Sequence, residues 1–152
     1  VENRCRFALG LVDAASEAFG GPELIGVKIS PTDALNDSIV TFDEMQETYT
    51  YLIKEFVKRK VGIITICRRG ADIHVESVDA YNHFPRPEGF LLPPNYDPVL
   101  KFGGLIKFPG SASLLMVNQD YGVEEAERLV KEGKIDLLMI GRPFIFNPVR
   151  YY

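Results

Sequence analysis

The apolar run LLMIGR, Leu137 to Arg142, stops at a glycine and an arginine, and Pro143 with an aromatic turn, FIFNP, follows. In α/β folds ligands sit at the carboxyl ends of strands, so these residues stand where chemistry is done. A glycine lets the backbone approach a ligand, and an arginine offers a planar fork of donors that suits phosphate. Proline fits the first position of a short helix, whose remaining amides can point at an anion. The other strand ends carry Lys28 and Ser30, then Cys67 and Arg68, then Asn118, Gln119 and Asp120. Cations at Lys28, Arg68 and Arg142, on an acidic chain, point to an anionic ligand. Its phosphate is expected between the last two strand ends. Taken alone, Gly141-Arg142 also reads as a plain turn whose arginine pairs with an acidic neighbour.

Holding such ends together requires a strand-then-helix rhythm. Phe7, Leu11, Val12, Ala15, Ala18 and Phe19 fall at helical spacing between Arg6 and Phe19, and Gly20-Gly21-Pro22 ends that helix. LIGVKIS, Leu24 to Ser30, reads as a buried strand closed by Pro31. Thr41 to Glu44 forms a capping box that opens a helix running to about Lys60, with Met45, Tyr49, Leu52, Ile53, Phe56 and Val57 as its buried stripe. GIITICR, Gly62 to Arg68, is the second strand, and SLLMVN, Ser113 to Asn118, the third. A modest helix is expected over Pro98 to Lys107. VEEAERLVKEG is another helix, with acids in its first turn, Lys131 near its end and Gly133 as its stop. Between the second strand and the Pro98 helix lies a long segment, residues 69–96, which exceeds an ordinary connection. Its aromatic residues, Tyr81, Phe84 and Phe90, favour an ordered lid. Strands alternating with helices imply a parallel sheet, either a small doubly wound one or half of an eight-stranded barrel.

The 152 residues fit a single domain, and 46% hydrophobic with 25% charged residues is ordinary for a soluble globular chain. The net charge, 17 − 21 = −4, argues against a nucleic-acid binder. No apolar run is long enough to span a bilayer, and the charged opening VENRCRF is not a signal peptide. Two cysteines, Cys5 and Cys67, in unrelated contexts argue against a disulfide framework and for a reducing, cytoplasmic compartment. His74 and His83 lack metal-ligand spacing, so no metal site is expected. Asn36-Asp37-Ser38 matches the glycosylation pattern, a match common by chance. Cys67 reads as a packing residue rather than a reactive thiol.

Three stretches together resemble the Old Yellow Enzyme family of FMN-dependent, NAD(P)H-dependent oxidoreductases. VENRCRF is similar to that family's GGSxENRxRF, GVKISP to its G(V/I)R(L/I)SP strand, and DLLMIGRPFIFNP to DLVAFGRPFIANP. The overlap runs nearly the whole chain in order and spacing. The resemblance implies that residues 1–152 are the C-terminal half of a TIM-type (β/α)8 barrel, strands five to eight. It implies that Asn118, Gln119, Asp120, Gly141 and Arg142 surround the FMN phosphate, chiefly through backbone amides and the Arg142 guanidinium, and that Lys28 faces the N1/C2 carbonyl edge of the flavin. A cation there would stabilise reduced flavin by about 4 kcal/mol at 4 Å and an effective dielectric of 20.

Three departures accompany the resemblance. Lys28 stands where most relatives carry arginine, so the charge is kept and the fork lost. Gln119 and Asp120 stand where small residues are frequent, and an Asp120 carboxylate aimed at phosphate would repel it. The family's His/Asn or His/His pair and its catalytic tyrosine precede the ENR motif, so no catalytic residue is assigned in this chain. The implied reaction takes hydride from NAD(P)H and reduces activated alkenes such as enones. Separately, the position of the long segment makes Phe84 and Phe90, with Arg86, candidates for the substrate pocket, which no motif assigns. The expected partner is a missing N-terminal half, or a second copy meeting the exposed sheet edges. The alternative is a non-catalytic half-barrel that binds another phosphate ligand or serves in assembly.

Overall fold

A computed structural model of the chain describes residues 1–34, 38–71, 86–119, 121–141 and 145. Its sheet has four parallel strands in chain order: β1 (Gly26–Ile29), β2 (Ile63–Cys67), β3 (Leu114–Asn118) and β4 (Leu137–Met139). The helices are α1 (Glu2–Phe19), α2 (Phe42–Lys58), α3 (Pro98–Ile106) and α4 (Val123–Lys131), with a single 3-10 turn at Pro22–Leu24 before β1. Every strand is followed or preceded by a helix, as the alternation predicts, and the arrangement is a partial barrel of TIM type. No helix among the described residues is long and apolar enough to cross a membrane.

Strand alternation divides the sheet into two unequal faces. Ile64, Ile66, Leu115 and Val117 are fully buried and join Ile53, Phe56, Phe102, Ile106 and Leu129 of the helices in one core. On the other face Leu114, Leu137 and Met139 are 44%, 37% and 39% exposed, and Gly26 and Lys28 are exposed as well. In a closed barrel this second face is the interior. The expectation of a buried first strand is therefore corrected: β1 is covered on one side only, because no element among the described residues lies across the other.

Helix α1 carries a second correction. The expected stripe included Phe7, Leu11 and Phe19, which are 81%, 61% and 70% exposed. Val12 of that stripe is buried as expected, and the rest of the burial falls on Cys5 and Leu9. The helix begins at Glu2, one turn earlier than its periodicity suggests, and its polar groups lock that face to α2. Arg59 donates to Asp13 at 2.7 Å, and the Cys5 thiol approaches the Thr48 carbonyl at 3.8 Å. Two apolar stripes coexist on α1, and contact with α2 selects one of them. Gly20, in the left-handed region at φ 90°, ends the helix where glycine does so without strain.

The α2 capping box is present: the Glu44 amide donates to Thr41 Oγ1 at 3.4 Å, and the Thr41 amide donates to Glu44 Oε2 at 3.4 Å. The Thr41 hydroxyl also donates to Glu44 Oε2 at 2.9 Å, and this bond, with that from the Thr41 amide, holds the Glu44 carboxyl below its usual range. Thr41→Ala should cost about 1 kcal/mol, read as a lower urea midpoint at unchanged slope. Met45, Leu52, Ile53 and Phe56 are buried as expected, while Tyr49 and Val57 are half-buried against the same core.

Candidate functional site

The register brings the chemically interesting strand ends into two rows. Lys28 lies level with Thr65, Met116 and Leu137, and Cys67 lies level with Asn118 and Met139. Alternation puts all of them on the open face. Lys28 Nζ reaches across β2 and donates to Asn118 Oδ1 at 2.6 Å. Asn118 in turn donates from Nδ2 to the Met139 carbonyl at 3.1 Å. One asparagine thus connects the cation of β1 to the end of β4, and its two side-chain hydrogen bonds settle which way the amide points. Gly141 follows two residues later, exposed, with nothing within 4 Å of the place a Cβ would occupy.

Gln119, just past the end of β3, sits at φ 71°, in the left-handed region that non-glycine residues rarely adopt. Its side-chain oxygen accepts from the Cys67 thiol at 3.4 Å. Cys67 is 2% exposed, and both cysteines are free thiols. Asp120 and Arg142 lie outside the described residues, as does Phe84. Phe90 is half-buried, with its carbonyl accepting from Arg86 Nε at 2.6 Å. Lys28, Asn118, Gln119 and Gly141 thus occupy the carboxyl end of one open sheet face. This set, a cation, an amide, a turned backbone and an uncrowded glycine, fits the polar edge and phosphate of a mononucleotide.

Arg68 departs from expectation. Its side chain is 3% exposed and forms a two-pronged pair with Glu125, Nη1 to Oε1 at 2.9 Å and Nη2 to Oε2 at 2.7 Å. It also lies 3.6 Å above the Tyr121 ring and 3.9 Å from Asp97. Being one residue past Cys67, it points to the helix side of the sheet, away from the open face. Burial pulls its pKa down, but Glu125, Tyr121 and Asp97 outweigh that and leave it raised. Burial also raises Asp97 and pushes the Tyr121 phenol far up. Of the two strand-end cations among the described residues, Lys28 lies on the open face and Arg68 does not.

Sequence reasoning did not register Arg86 or Asp97 as organising residues. Arg86 donates to the carbonyls of Phe90 and Thr32, the latter at 2.7 Å, and so fastens the second half of the long segment to the loop after β1. Asp97 caps α3 by accepting from the Val99 and Leu100 amides. The Asp97-Pro98 pair is a helix-start signal visible in the sequence. Phe90 lies only four residues on, but the partners that make Arg86 a bracket between loops are 54 residues away at Thr32 and 46 away at Val40, which no local signal marks.

A parallel α/β sheet of TIM type with polar groups gathered at its carboxyl ends defines the class as a barrel of the ligand-binding kind. Residues 1–150 match the model of the NADH:flavin oxidoreductase / NADH oxidase family, whose cofactor is FMN, and the chain belongs to that family. It is 27% identical over 148 residues to a 12-oxophytodienoate reductase-like protein of Solanum lycopersicum, covering 97% of this chain and 32% of that protein. It is 26% identical over 155 residues to a probable flavin mononucleotide-dependent alkene reductase of Leishmania infantum, covering 97% and 33%. Morphinone reductase solved with tetrahydroNAD superposes with a TM-score of 0.65 at 27% identity, over 95% of this chain and 31% of that one. The chain thus spans about a third of the length of these relatives.

Proposed function

We propose that the chain works as the C-terminal half of a closed FMN barrel that takes hydride from NAD(P)H and reduces activated alkenes. The observation that carries this reading is the Lys28–Asn118 hydrogen bond on the open sheet face, 90 residues apart in sequence. Bound FMN supplies hydride transfer between a nicotinamide and an alkene carbon. Lys28 provides positive charge at the flavin's N1/C2 carbonyl edge, and Asn118 aims it. Amides of Gln119, Asp120, Gly141 and Arg142, with the Arg142 guanidinium, hold the phosphate, while the Asp120 carboxylate turns away from it. Phe84 and Phe90 contribute to the alkene pocket. The His/Asn or His/His pair and the proton-donating tyrosine come from four further βα units that close the barrel.

Two features support such a complement. The outer edges of β1 and β4 have no strand partner among the described residues, and parallel strands can add to both. Leu114, Leu137 and Met139 leave apolar surface on the face that a closed barrel buries.

Flavin fluorescence tests the reading. In the full-length protein carrying this sequence, FMN emission should be quenched on binding, and Arg142→Ala should weaken binding about thirtyfold, the worth of one charge-assisted hydrogen bond of about 2 kcal/mol. Unchanged FMN affinity in that variant removes the phosphate assignment. Binding of simple phosphate esters without FMN favours the non-catalytic module.

A further inference from the structure

We propose that Arg68 is a positioning residue that clamps the loop between β3 and α4, and so fixes the backbone that grips the cofactor's phosphate. The inference rests on the phosphate assignment above and adds the device that makes it rigid. Four elements meet at this guanidinium. It leaves the end of β2, its two outer nitrogens hold Glu125 in the first turn of α4, it covers the face of Tyr121, and it lies near Asp97, the cap of α3. The Arg68 amide also donates to the Asn118 carbonyl at 3.3 Å. Backbone and side chain of one residue therefore seize the loop on both sides, at Asn118 before it and at Tyr121 and Glu125 after it.

The loop needs such a brace. Gln119 holds φ 71° without being glycine, a conformation that persists only where its surroundings over-determine it. Its amide and that of the following residue are the donors assigned to the phosphate. A fork pairing two nitrogens with two oxygens resists rotation in a way that a single ammonium does not. Contact with the ring face adds attraction that strengthens as water is excluded, and Arg68 is almost wholly shielded from water. The cation that appeared in sequence to face the ligand thus acts on it from behind, through the loop.

Comparing FMN with riboflavin isolates the effect, because the two differ only in the phosphate. In the full-length protein, wild type should bind FMN much more tightly than riboflavin. Arg68→Lys and Tyr121→Leu should each shrink that preference about tenfold while leaving riboflavin affinity near wild type. Phe102→Leu, a core change away from the loop, should lower the urea midpoint and leave the preference intact. If Arg68→Lys does not fold, Tyr121→Leu carries the test. Equal loss for both flavins, or an unchanged preference, overturns the clamp while the phosphate site stands. A wild type that does not prefer FMN overturns the phosphate site and the clamp with it.

Discussion

Lys28→Met in the full-length protein should lower the reduction potential of bound FMN by roughly 40–90 mV and slow its reduction by the nicotinamide in proportion. The size follows from Coulomb's law. A unit charge about 4 Å from a developing anion is worth about 2–4 kcal/mol when the effective dielectric lies near 20 to 40, and about 1.4 kcal/mol corresponds to 30 mV for a two-electron couple. Methionine keeps the length of the side chain and removes the charge, so packing changes little. Lys28→Arg keeps the charge and should hold the potential within the error of the measurement. Asn118→Leu removes the acceptor to which Lys28 Nζ donates and should reproduce part of the loss. A potential that does not move in Lys28→Met would place that ammonium away from the ring, and the assignment of the open face with it.

Gly70→Ala should cost about 3 kcal/mol or more of stability, far beyond the cost of the same change at Gly89. Both glycines have positive φ, 75° and 85°, so both variants carry the left-handed strain of about 1 kcal/mol. Around Gly89 there is open space for a methyl group. At Gly70 the new carbon would stand 2.3 Å from the Thr32 carbonyl oxygen. Thr32 has little freedom to retreat. It is wholly buried, its hydroxyl donates to the Arg69 carbonyl at 2.7 Å, and its own carbonyl accepts from Arg86 at 2.7 Å. The loops after β1 and β2 are therefore fastened together at one threonine. Urea denaturation of the two variants side by side checks this, and equal midpoints would show that the loops part easily.

The clamp at Arg68 and the bracket at Arg86 share a chemical logic. Each arginine spends its donors on several partners from different loops, Arg68 on carboxylates and Arg86 on backbone carbonyls. Burial lowers the pKa of Arg86, which has no carboxylate among those hydrogen-bond acceptors. Arg68 is buried beside carboxylates and keeps its charge firmly. Together they stiffen the carboxyl end of the sheet, where a site must hold its groups within fractions of an ångström.

Much of this protein is written locally in its chain. The capping box at Thr41, the glycine stops at Gly20 and Gly133 and the apolar runs of the strands each act within a few residues, so spacing alone predicts the parallel sheet and its helices. The ENR, GVKISP and IGRPF stretches likewise identify the family before any fold is drawn. What the tertiary structure decided depends on register and on which face of an element finds a partner. Phe7 and Leu11 are as apolar as Leu9 and Val12, yet only the latter pair is buried in the core. Arg68 and Lys28 are both cations near strand ends. Alternation turns one toward the helices and Glu125 and the other toward the open face and Asn118, because neighbouring side chains on a strand leave on opposite sides of the sheet.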